Sequence, residues 1–255
     1  MLLAIDIGNT SVACGVFDGE HLGATWRIAT RLNQMPDEYA VMLLNLLQYH
    51  GIETSEINGV AICSVVPPLL STFENVCKQY LHRTPLVVGP GIKTGVRIRA
   101  DNPREVGTDR IVDAAAAHHL YGGTLIVADL GTATTFDVVS KEGDYLGGAI
   151  APGIAISAEA LFTRTAALPR VELVRPKHAI GTNTITAMQS GIVFGYVGLI
   201  EGIVNRIHQE LKEKATVVAT GGYSELMAQE TKIIDAVNPD LTLIGLRLIN
   251  QMNKT

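Results

Sequence analysis

The chain states nearly the same thing twice. LLAIDIGNTSVACGVFDG at residues 2–19 and LIVADLGTATTFDVVSKEG at 125–143 each carry an apolar strand ending in Asp-x-Gly, then small hydroxyl residues, then a second apolar strand running into a turn. Asp6 and Gly8 of the first align with Asp129 and Gly131 of the second, 123 residues further on, in a chain of 255. A repeat on that scale predicts two similar domains facing each other across a cleft, each offering a carboxylate and a glycine turn. Such a cleft suits a nucleoside triphosphate with its metal ion. One Asp-x-Gly alone carries little weight; a pair, each after a buried-looking strand, carries far more.

Length permits one large domain or two modest ones, and the repeat favours two. A hydrophobic share of 47% with 18% charged residues describes a globular chain with a substantial core rather than a disordered one. The formal net charge is −5 with no block of like charges, so the basic face a nucleic acid requires is missing. Arg97, Arg99, Arg104 and Arg110 still offer local positive charge to a small anion. Cys14, Cys63 and Cys77 show no Cys-x-x-Cys spacing, and Cys14 and Cys63 lie in apolar strand-like runs, as reduced buried thiols do. No signal-peptide pattern precedes the strand that reaches Asp6. Charges or turns such as Asp129 and Glu201 cut the apolar runs before the roughly 18 residues of a membrane span. The expectation is a cytoplasmic protein without nucleic-acid or membrane partners.

Strands are expected at 2–7, 12–17 and 22–29, with Asp18-Gly19 closing the second hairpin. Pro36 opens a helix through His50, with Met42, Leu43, Leu46 and Leu47 on one face and Gly51 as its stop. A buried strand at 59–66, a helix from Pro67-Pro68 to about Leu81 and a short strand at 85–88 follow. This order, β-β-β-α-β-α-β, is that of a ribonuclease H-like domain. After an Ala-rich helix at 107–121 the pattern returns: strands at 124–130, 133–140 and 145–151, helices from Ile154 and over 182–212, and a strand at 215–220. The fold expected is α/β: two ribonuclease H-like domains related by duplication, 1–117 and 118–255, with a nucleotide cleft between them. Residues 164–181, with Pro169 and Pro176, form the longest irregular stretch.

Asp6-Ile7-Gly8-Asn9-Thr10 is the first candidate phosphate site. Glycine lets the backbone turn and a phosphate approach its amide, while Asn9, Thr10 and Ser11 add neutral donors. A carboxylate facing phosphates makes sense when it addresses Mg²⁺, directly or through water. The competing reading, Asp6 merely capping a hairpin turn, is even with this one until the second copy tips the balance. In Asp129-Leu130-Gly131-Thr132-Ala133-Thr134-Thr135, Thr132 is the strongest phosphate candidate, since Thr134 and Thr135 also fit plain strand preference. Gly221-Gly222 either admits a flat adenine or serves strand-to-helix geometry. At Gly107-Thr108-Asp109-Arg110 the acid suits a helix's first turn, yet Arg110 beside it offers a charge for a substrate carboxylate. Asp109 could take a proton from a substrate hydroxyl, which suits phosphorylation of a small hydroxy acid. His118-His119 have no ligand partner at metal spacing and read as helix surface.

Asp6-x-Gly-Asn-Thr, Gly107-x-Asp-Arg, Asp129-x-Gly-Thr-Ala-Thr-Thr, Gly147-Gly-Ala-Ile-Ala-Pro-Gly and Gly221-Gly222, in that order, closely resemble the type III pantothenate kinase family over essentially the whole chain. The Asp-x-Gly pair belongs to the wider actin, hexokinase and sugar-kinase superfamily; Asp-x-Gly-Asn-Thr with Gly-x-Asp-Arg narrows it. The resemblance implies ATP-dependent phosphorylation of pantothenate, the first step toward coenzyme A, by a homodimer. It implies ATP contacts from Asp6, Ile7, Gly8, Asn9, Thr10, Ser11, Val12 and Ala13 and from Thr132. It places pantothenate on Gly107, Thr108, Asp109 and Arg110, with Asp109 as proton acceptor and Thr184 contributing from the partner's side. Asp129 would bind the K⁺ or NH₄⁺ that the family requires besides Mg²⁺, and Asp6 the Mg²⁺ through the phosphates. Ala100 departs from the pattern, because many relatives carry an aromatic residue there on the pantothenate pocket wall.

Overall fold

Five apolar residues and one acid in succession make a strand suited to burial on both faces, and β1 (Leu2–Ile7) lies at the centre of a five-stranded sheet. In the computed structural model, which describes residues 1–254, that sheet also holds β2 (Ser11–Asp18), β3 (His21–Ala29), β4 (Gly59–Ser64) and β5 (Leu86–Val87). The order is β3-β2-β1-β4-β5, with β1–β2 and β2–β3 antiparallel and β1–β4 and β4–β5 parallel. Strand periodicity sorts the side chains. Leu3, Ile5 and Ile7, with Val12, Cys14, Val60 and Ile62, pack against helices α1 (Pro36–Tyr49) and α2 (Pro67–Tyr80) through Tyr39, Leu43, Leu47, Phe73 and Val76. Each of these larger side chains, buried fully, stabilises the unit by about 1.5–3 kcal/mol.

Leu2 and Ala4 point the other way, with Phe17, Ala61 and Cys63, and meet Val112 and Ala115 of α3 (Thr108–Tyr121) and Leu243, Leu246 and Ile249 of the C-terminal helix Leu241–Met252. Asp6 follows Leu2 and Ala4 by the same alternation and ends that row. The two helices cross at Gly245, where any Cβ would collide with the backbone of Val112. Pro36 and Pro67 stand in the first turns of α1 and α2, and Glu38 of α1 accepts from the Met35 amide at 2.7 Å.

The second sheet repeats the first. Besides β6 (Arg97–Ile98) at one edge it holds β7 (Leu125–Leu130), β8 (Ala133–Val139), β9 (Asp144–Pro152), β10 (Thr216–Thr220) and β11 (Ala236–Val237), in the order β11-β10-β7-β8-β9-β6. Directions match one for one: β7–β8 and β8–β9 antiparallel, β7–β10 and β10–β11 parallel. Its core packs Ile126, Ala128, Leu130 and Phe136 against α4 (Ile154–Arg164), α5 (Thr184–Leu211) and α6 (Ser224–Ala228).

Packing groups the chain somewhat differently from the expected 1–117 and 118–255. The first compact unit takes Met1–Arg97, Asp101–Ala116 and the C-terminal segment, and the second Ile98–Ala100 and Ala117–Asp240. The last helix, α7 (Leu241–Met252), therefore belongs with the first unit, because its Leu243, Leu246 and Ile249 complete that unit's core. The irregular stretch between α4 and α5 is fastened down: Leu168, Val171 and Leu173 join the second core, Arg175 Nε meets Glu230 Oε1 at 2.6 Å, and Ser190 donates to the Ala179 carbonyl at 2.6 Å. All three cysteines are buried and free. Among the described residues one helix, α5, is long and apolar enough to cross a bilayer, contrary to the expectation that charges and turns cut every apolar run short. It buries Met188, Ile192, Val193, Ile200 and Val204 in the second core, as a helix lying on a sheet does.

Candidate active site

Ligands of open sheets gather at the carboxyl ends of parallel strands, and in the first unit that end of β1 and β4 collects most of the expected residues. Asp6 sits near the end of β1 and pairs across the sheet with Ala13 of β2 and Cys63 of β4; Ala13 pairs in turn with Arg27 of β3. The row Arg27, Ala13, Asp6, Cys63 thus shares one face. Cys63 Sγ donates to Asp6 Oδ1 at 3.0 Å. Burial pushes the Asp6 carboxyl up to about 6; the thiol's hydrogen bond and the charge of Arg27 pull it down, and the neighbouring carboxylate of Asp109 pushes it up. Burial, then the Asp6 carboxylate, holds the Cys63 thiol well above its usual range, so it stays protonated and donates.

Asp109 comes close because α3 starts there. Thr108 Oγ1 donates to the Ser64 carbonyl at the end of β4 at 3.0 Å, tying the first turn of the helix to the strand end. Asp109 Oδ1 folds back to accept from the Arg110 amide at 2.8 Å, and a side chain at Gly107 would meet that oxygen at 2.5 Å. Gly107, Thr108, Asp109 and Arg110 are all half-buried.

The turn after β1 already occupies the Gly8 amide. The Gly8 amide donates to the Ser11 carbonyl at 3.0 Å, and a Cβ at Gly8 would stand 3.1 Å from that oxygen. Gly8 therefore serves the turn itself, while Asn9 and Thr10 are exposed and Ser11 is half-buried. Thr30 Oγ1 braces the turn by donating to the Gly8 carbonyl at 2.6 Å. Ile7 and Val12 are fully buried in the apolar core, so only their backbone can face a nucleotide. Ala13 lies beside Asp6, where a small side chain leaves room.

The second unit sets Asp129 at the same place on β7, half-buried. Its turn is one residue shorter: the Gly131 amide donates to the Ala133 carbonyl at 3.1 Å, and Asp129 pairs with Thr135 of β8. Thr132 is exposed at the tip. Thr134 faces the core and shares a hydrogen bond with Tyr196 Oη at 3.2 Å, while Thr135 donates to Asp137 at 2.9 Å, so both serve the sheet. Gly221 has φ +86°, and a side chain there would collide with Asp129 Oδ1 and the backbone of Leu130. Its role is to let β10 turn past the carboxylate, whereas nothing stands within 4 Å of a Cβ at Gly222. Thr184 is exposed in the first turn of α5, after the Asn183 cap, and lines a groove of about 940 Å³ between α4 and α5. Ala100 is half-buried and grouped with the second unit.

From the sequence Cys63 is expected only as a buried thiol and Arg27 is unmarked, so neither is expected beside Asp6. Their signal was positional: in strands paired to β1, each occupies the alternation that shares a face with Asp6. Among the described residues no three metal-ligating side chains converge. The repulsion between Asp6 and Asp109 nonetheless fits a divalent cation held by one or two carboxylates with the remaining oxygens from phosphate.

Each unit thus carries the same order of strands with a carboxylate near the end of its central strand, a duplicated α/β fold also found among sugar kinases. The inorganic polyphosphate/ATP-glucomannokinase of Arthrobacter sp. strain KM has this fold, with TM-score 0.51 at 14% identity over 99% of each chain. The type III pantothenate kinase family model matches residues 2–206. The type III pantothenate kinases of Dehalococcoides mccartyi strain CBDB1 (60% identical, covering 99% of this chain and 96% of that one) and Geobacillus kaustophilus (52%, covering 99% and 98%) align over 253 residues. The chain belongs to the type III pantothenate kinase family.

Proposed function

We propose that this chain transfers the γ-phosphoryl group of ATP to the primary hydroxyl of pantothenate, giving 4'-phosphopantothenate and ADP, the first step of coenzyme A biosynthesis. The observation that carries the chemistry is the anchoring of the first turn of α3, which bears Asp109, to the end of β4 through Thr108 Oγ1 and the Ser64 carbonyl, in the same unit as Asp6 near the end of β1. Asp109 accepts the hydroxyl proton as the oxygen forms its bond to phosphorus and the bond to the ADP oxygen breaks. Phosphoryl transfer depends mostly on placement and charge stabilisation, so Asp109 need not be a strong base. Arg110 holds the pantothenate carboxylate, with Gly107 and Thr108 at its side. Asn9, Thr10 and Ser11 receive phosphate oxygens, and Thr132 makes a further nucleotide contact. Mg²⁺ on the phosphates, near Asp6, and K⁺ or NH₄⁺ on Asp129 would supply neutralising charge. The working enzyme is a homodimer in the cytoplasm, with Thr184 serving the partner's pantothenate, and its ligands are small molecules rather than nucleic acid or membrane.

ADP formation by the purified chain, coupled to a spectrophotometric readout, tests this reading. The expected result is turnover that requires pantothenate and rises when Na⁺ is exchanged for K⁺ or NH₄⁺. Robust turnover of a sugar with none of pantothenate would overturn it.

A further inference from the structure

The opposite end of the first sheet carries a second cavity. It measures about 440 Å³ and lies among the starts of β1 and β4, the β2–β3 hairpin and the end of the chain, with Phe17, Glu20, Asn58, Arg247, Asn250 and Lys254 in its wall. It is the length of β1 away from Asp6, since Leu2 lines it and Asp6 stands near the strand's other end.

The core-facing side of α7 is apolar except at this cavity. Arg247 is only 11% exposed in its side chain, with the guanidinium carbon 5.8 Å from the centre of the Phe17 ring. Its acidic neighbour is Glu20, whose side chain is 86% exposed and whose Oε1 lies 3.7 Å from Nη1. So distant and so solvated a carboxylate does little for a buried charge. Arg247 Nε and Asn250 Oδ1 are both buried without a hydrogen-bond partner. An ion pair at the rim accounts for Nη1, but not for Nε or for the amide of Asn250. Buried polar atoms are ordinarily satisfied, and two unsatisfied ones in one cavity wall ask for a ligand. The wall's charge gives its sign: Arg247 and Lys254 against Glu20 alone.

We propose that this cavity binds a small organic anion, a carboxylate or phosphate monoester that also carries a hydroxyl or amide N–H. Binding turns the Arg247 and Asn250 side chains toward the cavity, so that the guanidinium edge takes two of the anion's oxygens as a fork, the Asn250 amide accepts its donor, and Phe17 packs against its carbon skeleton. The volume lies in the range of small-molecule sites. Glu20 competes for the same guanidinium in the empty state.

The test uses the full chain, with malate and glycerol 3-phosphate as probes of the two anion types, and follows amide hydrogen exchange peptide by peptide. The expected result is protection of residues 16–21 and 246–252 together by at least one probe. Arg247→Gln should weaken that protection by about tenfold or more, as loss of a charge-assisted hydrogen bond does, while leaving pantothenate-dependent turnover intact. Glu20→Gln, an exposed change that leaves the core alone, should tighten binding by removing the competitor, and it decides the matter if Arg247→Gln fails to fold. Protection by neither probe, protection confined to residues 6–13, equal protection in Arg247→Gln, or no tightening in Glu20→Gln would each overturn the proposal.

Discussion

The two sheets share strand order, strand direction and the burial sequence of their central strands, yet their acidic residues keep unlike company. Asp6 accepts from a thiol and has an arginine two strands away on its own face. Asp129 instead stands against Gly221, the residue that allows β10 to pass it. Its register neighbours are Thr135 and Thr220 rather than Ala13 and Cys63. Duplication has preserved what the cores need and released what the strand ends display. The positions that differ are those where a side chain can change without disturbing the apolar layer.

The largest expected difference between the units is chemical. If the first unit holds the base, Asp109→Asn should lower kcat by roughly two to four orders of magnitude, the usual worth of a general base, with Tm nearly unchanged. Turnover close to that of the parent, in a folded variant, would move the base elsewhere.

The next is steric and confined to the second unit. Gly221→Ala places a Cβ at φ +86° against Asp129 and Leu130, which should cost about 2–4 kcal/mol from the left-handed backbone and overpacking together. Gly222→Ala meets nothing within 4 Å and should leave Tm within a degree or two. Equal effects in thermal unfolding would show that the glycine pair is not divided in this way.

Asp6→Asn should act in the opposite direction on stability. The ordinary value of the group is 3.8, and burial raises it to about 6 in the folded chain. A raised native value means that its share of stability is complete below about 3.8 and is lost as pH rises through about 6. At pH 7.5 the ionised carboxylate therefore costs the free enzyme up to about 3 kcal/mol. Asparagine should recover about 1–3 kcal/mol of it at that pH and none near pH 4, while abolishing turnover. Denaturant unfolding of the ligand-free variant at both pH values checks this, and a gain that does not vary with pH would remove the burial argument.

Much of the architecture was legible beforehand because strand pairing in a duplicated sheet follows from apolar runs and turns: Leu2–Ile7 and Leu125–Leu130 declare themselves. The division of the chain was less so. No local signal shows that Leu243, Leu246 and Ile249 belong to the first core rather than the second, since an amphipathic helix does not name its partner. Similarly, Gly8 is visible as a turn glycine, but that its amide is taken by Ser11 depends on hairpin register. Thr134 and Thr135 fit strand preference from the sequence, but their partners, Tyr196 and Asp137, follow only from the facing of β8. Arg27 and Cys63 are one step harder, because their relation to Asp6 exists only once three strands are aligned.

That alignment yields the smallest and most specific expectation. Cys63 supports Asp6 only while the carboxylate is ionised, because the thiol hydrogen bond lowers the Asp6 value against the burial that raises it. Removing the donor leaves desolvation unopposed, so Cys63→Ala should raise the Asp6 value further and weaken the free enzyme by about 1 kcal/mol above pH 6. Below pH 4, where Asp6 is protonated in both proteins, this contribution vanishes and only the small loss of packing remains. Cys63→Ser restores a donor of nearly the same reach and should return the neutral-pH stability that alanine loses. If alanine and serine unfold alike at every pH, the sulfur is filling space, and the contrast between the two carboxylates rests on Arg27 and Asp109 alone.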